Sequence, residues 1–191
     1  MTNISKASKC ICALIIVMAT LQVISHTLLM FFGEQTEAGV SQLSINFQLF
    51  SSHISHQVTH GWVDIAKALE AENFNSIAIL SSIELLPYLI IYYFLFKLFR
   101  YYQQGEIFTI ANISCLKNIG KTLLAWIGIS IFYPVLVTFF IRLTGLSDKL
   151  AIYVNVGSSE LFYLVSGLVI YVMAWVMTIG IELKQEQELV V

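Results

Sequence analysis

The sequence predicts an all-α membrane protein, a four-transmembrane-helix bundle formed as one domain over residues 1–191, with a short amphipathic elbow helix between spans two and three. Three observations carry this. The 191 residues are 58% hydrophobic and 12% charged, against about 25% charged in an ordinary soluble domain, so too few polar side chains exist to coat a water-facing core. Four runs approach the ~20 apolar residues that a helix needs to cross a bilayer. None alternates as barrel strands do, which leaves the helix as the way to satisfy a backbone in lipid.

Span one is placed at about 10–32, CICALIIVMATLQVISHTLLMFF. It exceeds the ~7–15 residues of a signal-peptide core, and no small-x-small cleavage site follows, so it is read as a retained signal anchor. An outer loop, 33–75, comes next. Within it SINFQLF alternates like a strand, but a single strand is not stable alone. WVDIAKALEAE, 62–72, reads as a short amphipathic helix with Trp62, Ile65 and Leu69 on its apolar side. Spans two, three and four are placed at about 76–98, 122–143 and 159–181.

Lysine and arginine set the orientation. With the N-terminus inside, the cytosolic side holds Lys6, Lys9, Lys97, Arg100, Lys117, Lys121 and Lys184, and the outer side Lys67, Arg142 and Lys149. Seven against three predicts that both termini lie in the cytosol. Cys10, Cys12 and Cys115 then all face the reducing side, so no disulfide framework is expected.

The inner connection is RYYQQGEIFTIANISCLKNIG, 100–120. Arg100 and Lys97 can snorkel to lipid phosphates, and Tyr101 and Tyr102 suit the interfacial belt. Gly105 breaks the helix. Thr109 looks like an N-cap, with Asn112 three residues on. From Ile110 a helix would place Ser114, Lys117, Asn118 and Lys121 in one polar wedge, the elbow. Arg100, Lys117 and Lys121 form the expected surface toward lipid or a cytosolic partner.

This segment resembles the hallmark of a bacterial membrane family, the domain of unknown function numbered 2975. Gly105, Glu106, Ile107, Phe108, Thr109 and Asn112 match its Gly-Glu/Lys-Ile-Phe-Thr-x-x-Asn stretch, and the ending ELKQEQELVV is similar to its acidic tail. The likeness covers about 75–191. It implies four helices in an inner membrane and a helix-turn-helix regulator as genetic neighbour and cytosolic partner. It supplies no catalytic residues.

Polar groups at membrane depth are candidates for function, since a mid-bilayer charge costs at least ~2.5–3.5 kcal/mol. Glu84 sits roughly 12 Å into span two at 1.5 Å per residue, with Ser81 and Tyr88 on its face and Pro87 just beyond. His26 lies on span one at similar depth. Glu160 and Arg142 lie near the outer ends of spans four and three. Two arrangements are consistent with these positions. His26, Glu84 and Glu160 can form an outward polar pocket for a proton, cation or small amine. Alternatively Glu84 bonds His26 or a tyrosine, and Arg142 pairs with Glu160, as interhelical glue. In the outer loop His53, His56 and His60 share one face if the segment is helical, a weak metal motif lacking a close carboxylate other than Asp64.

The net charge of −2 gives no field for nucleic acid. No phosphate-binding glycine loop, HExxH or GxSxG occurs. The expectation is therefore a non-enzymatic multi-pass protein without cofactors, a sensor or interaction partner of a cytosolic regulator. The alternative is a small proton, cation or small-molecule transporter or channel subunit using Glu84 and His26.

Overall fold

The computed structural model describes residues 3–37, 39–47, 50–58, 62–105, 109–145 and 157–189. In chain order it forms α1 (Asn3–Phe32), β1 (Glu34–Glu37), β2 (Val40–Phe47), β3 (Phe50–Gln57), α2 (Val63–Ala71), a π-helical segment (Ile77–Ser81), α3 (Ser82–Gln103), α4 (Ile110–Leu143) and α5 (Ser158–Leu189). Four stretches are long and apolar enough to cross a membrane: Ser5–Phe32, Ile77–Gln103, Ile110–Leu143 and Ser158–Gln187. Each contains most of an expected span. Large side chains along them stay exposed, among them Leu21, Phe132, Phe162 and Trp175. Such stripes are costly against water and natural against hydrocarbon. Helices of this length and composition fit a multi-pass membrane protein.

The fold is mostly helical but not all-α. The outer loop folds into a three-stranded antiparallel sheet in the order β1-β2-β3. The first four residues of the alternating SINFQLF belong to β2 and find their partner in β3, with Ile45 opposite Ser52 and Phe47 opposite Phe50. A lone strand fails because its backbone groups stay unpaired; the neighbouring strands supply the pairing that local reading missed. The shared helical face expected for His53 and His56 therefore does not exist, because side chains in a strand repeat every two residues rather than every 3.6. His60 lies outside the described residues.

The described chain divides into two compact units, residues 1–19, 87–127 and 161–191, and residues 20–86 and 128–160. In the second, α2 forms where predicted and buries Ile65, Ala66 and Leu69 beside Trp62. Trp62 Nε1 donates to the Ser130 carbonyl at 2.8 Å. Glu70 ties α2 to the sheet: its Oε1 accepts from Gly39 N–H at 2.9 Å and from the Ser76 hydroxyl. Gly39 has φ +72°, and a Cβ there would lie 2.6 Å from Val58 Cγ2, so this turn needs glycine on two counts. The sheet also meets α1, where Ser41 Oγ donates to the Leu29 carbonyl at 3.2 Å.

In the first unit α4 and α5 cross at glycines. A Cβ on Gly120 would lie 3.0 Å from the Gly167 carbonyl oxygen, which is the close approach that small residues permit in membrane helices. Ala174 on α5 is fully buried. Gln103 Nε2 reaches Cys12 Sγ at 3.1 Å, which holds the end of α3 against α1. Gly105 ends α3 with φ +84°. Thr109 starts α4, its Oγ1 accepting from Asn112 N–H at 3.4 Å. The expected elbow is not an element of its own: the helix begun by Thr109 runs unbroken from Ile110 to Leu143.

Candidate functional site

The second unit gathers five polar side chains from three parts of the chain. β3 delivers His56, α1 carries His26, and the start of span two supplies Ser81, Ser82 and Glu84. His56 Nε2 lies 3.5 Å from Glu84 Oε2 and 2.5 Å from Ser81 Oγ. His26 Nε2 is 3.3 Å from Ser82 Oγ. The two imidazoles meet edge to face, centroids 6.0 Å apart at 89°.

The backbone explains why two adjacent serines can serve two histidines. Successive residues of a helix point about 100° apart, and the π-helical segment ends at Ser81 where the regular helix resumes with Ser82. Such wide turns disturb the regular carbonyl ladder and recur at functional sites. Tyr133 takes up one carbonyl, its hydroxyl donating to Ile79 O at 2.6 Å. The Tyr133 ring in turn lies 5.6 Å from that of Trp62. At the segment's start Asn75 Oδ1 accepts from Ala78 N–H at 3.0 Å.

The contact joins unlike environments. The Glu84 side chain is 8% exposed and that of His56 35%. A buried carboxylate needs compensating partners, and His56 is one that solvent can still reach. Ser81 and Glu84 both face the same nitrogen of His56. With Nε2 protonated, the ring donates toward the carboxylate; with Nε2 bare, it accepts the Ser81 hydroxyl proton. Whether Nε2 carries a proton, which in a neutral ring is a matter of tautomer, selects between the two partners.

Of the expected residues, His26 and Glu84 are brought into one cluster, His26 beside Ser82 and Glu84 beside His56. Tyr88 belongs to the first unit, where its hydroxyl lies 3.3 Å from that of Tyr163. Glu160 is buried and turns back on the start of α5, Oε2 accepting from Gly157 N–H at 2.8 Å. Arg142 is exposed in the last turn of α4. Arg100 ends α3 exposed, Lys121 is exposed on α4, and Lys117 lines a cavity of about 380 Å³ with Thr178 and Glu182. Sequence reasoning placed His56 with His53 and His60 in a cluster that was only a weak metal candidate, and missed its pairing with Glu84. Among the described residues no group of three or more His, Cys, Asp or Glu is arranged to hold a metal. Asp64 pairs instead with Lys67, 3.5 Å away on the same helix. The signal for His56 was the alternation of FSSHISHQ, legible only once the preceding alternating run is seen as its partner.

The family that the inner connection resembles is found here by direct comparison. A family model, protein of unknown function (DUF2975), matches residues 60–191. The chain belongs to the DUF2975 family. No curated protein and no solved structure matches it. The DUF2975 match takes in Ser81, Ser82 and Glu84 together with α2 and spans two to four, whereas His26 and His56 precede it.

Proposed function

We propose that the protein is a non-enzymatic, multi-pass sensor of a bacterial inner membrane, with both termini in the cytosol and the sheet outside. The observation that carries this reading is the 3.5 Å contact between His56 and Glu84. It links a side chain of the extramembrane sheet to a carboxylate on a membrane span. His56 is the solvent-reached side of this contact and Glu84 the buried side, so a change outside has a route to a residue of the span. The output surface is cytosolic: Lys117, Lys121 and the KQEQELVV tail, contacting a regulator of the helix-turn-helix class.

Two measurements test this. Tryptophan fluorescence of the detergent-solubilised protein with Trp126→Phe and Trp175→Phe, which then reads Trp62 in the same unit, is expected to change on acidification in a way that His56→Gln removes; a change unaltered in that variant would reject the input. Capture of cytosolic partners from the native host should be lost on deletion of 183–191 with Lys117→Ala and Lys121→Ala. Identical capture would reject the output surface.

One observation favours a second reading, a small proton or cation conductor: His26 on span one and Glu84 on span two both converge on the half-exposed His56 or its neighbouring serines. Flux of a pH-sensitive dye signal in proteoliposomes that Glu84→Gln abolishes would establish conduction over sensing.

A further inference from the structure

The last turns of α3 carry a groove of about 330 Å³ that the cluster above does not use. It is lined by Tyr93, Phe96, Lys97, Arg100, Tyr101 and Gln104. Its size falls within the ~300–1,000 Å³ of small-ligand sites. Lys97 and Arg100 are three residues apart and so lie on one helix face, both exposed. Among the described residues no carboxylate lines the groove, and the ion pairs His56–Glu84 and Lys67–Asp64 do not involve these cations.

We propose that this groove binds the phosphodiester headgroup of an anionic phospholipid. Four features point to that occupant. The two cations stand at the end of the same apolar stretch, Ile77–Gln103, that is long enough to cross a membrane, the level at which headgroups lie. Arginine offers a planar fork that matches phosphate oxygens in pairs, and lysine adds a point charge. Tyr93, Phe96 and Tyr101 give an aromatic wall for the glycerol and first methylenes, with Gln104 at the polar mouth. Electrostatics also favour an anion: the helix C-terminus contributes about half a negative charge, which two full cations exceed. Basic pockets beside membrane helices recognise anionic headgroups on these grounds. The inference requires only that α3 meets a bilayer, and it stands or falls independently of the His56–Glu84 sensor.

The test is thermal unfolding of the full-length protein in neutral detergent, titrated with short-chain phosphatidylglycerol, phosphatidylcholine or sodium phosphate. Phosphatidylglycerol is expected to stabilise saturably. At about fivefold in half-saturation per cation removed, Lys97→Gln shifts the curve about fivefold and Lys97→Gln with Arg100→Gln about 30-fold. Lys117→Gln with Lys121→Gln should leave it within twofold. Equal half-saturation in the Lys97/Arg100 double variant and wild type overturns the site. So does an equal loss in the Lys117/Lys121 variant, which would mean diffuse charge. Saturation by sodium phosphate alone would mean a free-anion site, and saturation by a poly-glutamate peptide but not by phosphatidylglycerol would mean a protein partner. Should the double variant not fold, native mass spectrometry of the wild type decides: retained adducts of phosphatidylglycerol but not phosphatidylcholine support the site, and equal retention rejects it.

Discussion

At Glu84 the asymmetry between losing a charge and losing its partner gives a measurable order of effects. His56→Ala leaves a buried carboxylate with less compensation, whereas Glu84→Gln removes the charge and keeps a hydrogen-bonding side chain. Unpartnering a buried group costs more than deleting it. His56→Ala is therefore expected to lower stability in detergent by about 1–3 kcal/mol, and Glu84→Gln by less; denaturant unfolding of both variants checks the order. Gly39 sets a second residue-scale expectation. Its φ of +72° and the 2.6 Å approach of Val58 make Gly39→Ala cost about 2 kcal/mol or more. Glu84 itself was legible as a buried, chemistry-bearing carboxylate, because a charge stands out inside an apolar run. His56 as its partner was not, because a contact 28 positions away in sequence leaves no local trace.

Among the elements, what could be foreseen divides by the range of the interactions involved. The four long helices were visible because each satisfies its own backbone and needs only a run of apolar residues. α2 was visible from its apolar face, and the start of α4 from Thr109. The sheet was not, because strand pairing is a relation between segments and each segment alone reads as a marginal alternation. The elbow was lost for the opposite reason: a polar wedge on the first turns of a helix looks like a separate amphipathic helix unless a break follows it, and no break follows Lys121. The α4–α5 crossing gives the prediction at this scale. Gly120→Leu forces the helices apart at a 3.0 Å contact and is expected to cost about 1–3 kcal/mol. Gly128, in the same helix, has open space where a Cβ would stand, so Gly128→Ala should be neutral or stabilising by up to ~1 kcal/mol. Thermal unfolding of the two variants side by side separates packing from helix propensity.

For the whole molecule, the expectation is topological. Single cysteines at Lys117 and Lys67, in a background cleared of Cys10, Cys12 and Cys115, should label in opposite ways. Lys67→Cys is expected to react with a membrane-impermeant maleimide in intact cells, and Lys117→Cys only after permeabilisation; the reverse pattern would invert the assigned orientation. The order of the chain, with the sheet before Ile77–Gln103 and the Gly105 turn after it, also has a consequence for biogenesis. The strands leave the ribosome before the second apolar stretch exists, and in the orientation proposed above they are carried across the bilayer while still unpaired with it. Ser81 and Glu84 reach them only after that stretch has been threaded by the translocon. Closure of His56 onto Glu84 is thus a late event in synthesis, and its absence would mark nascent chains whose second helix had failed to insert, a state that quality-control proteases could distinguish from the finished molecule.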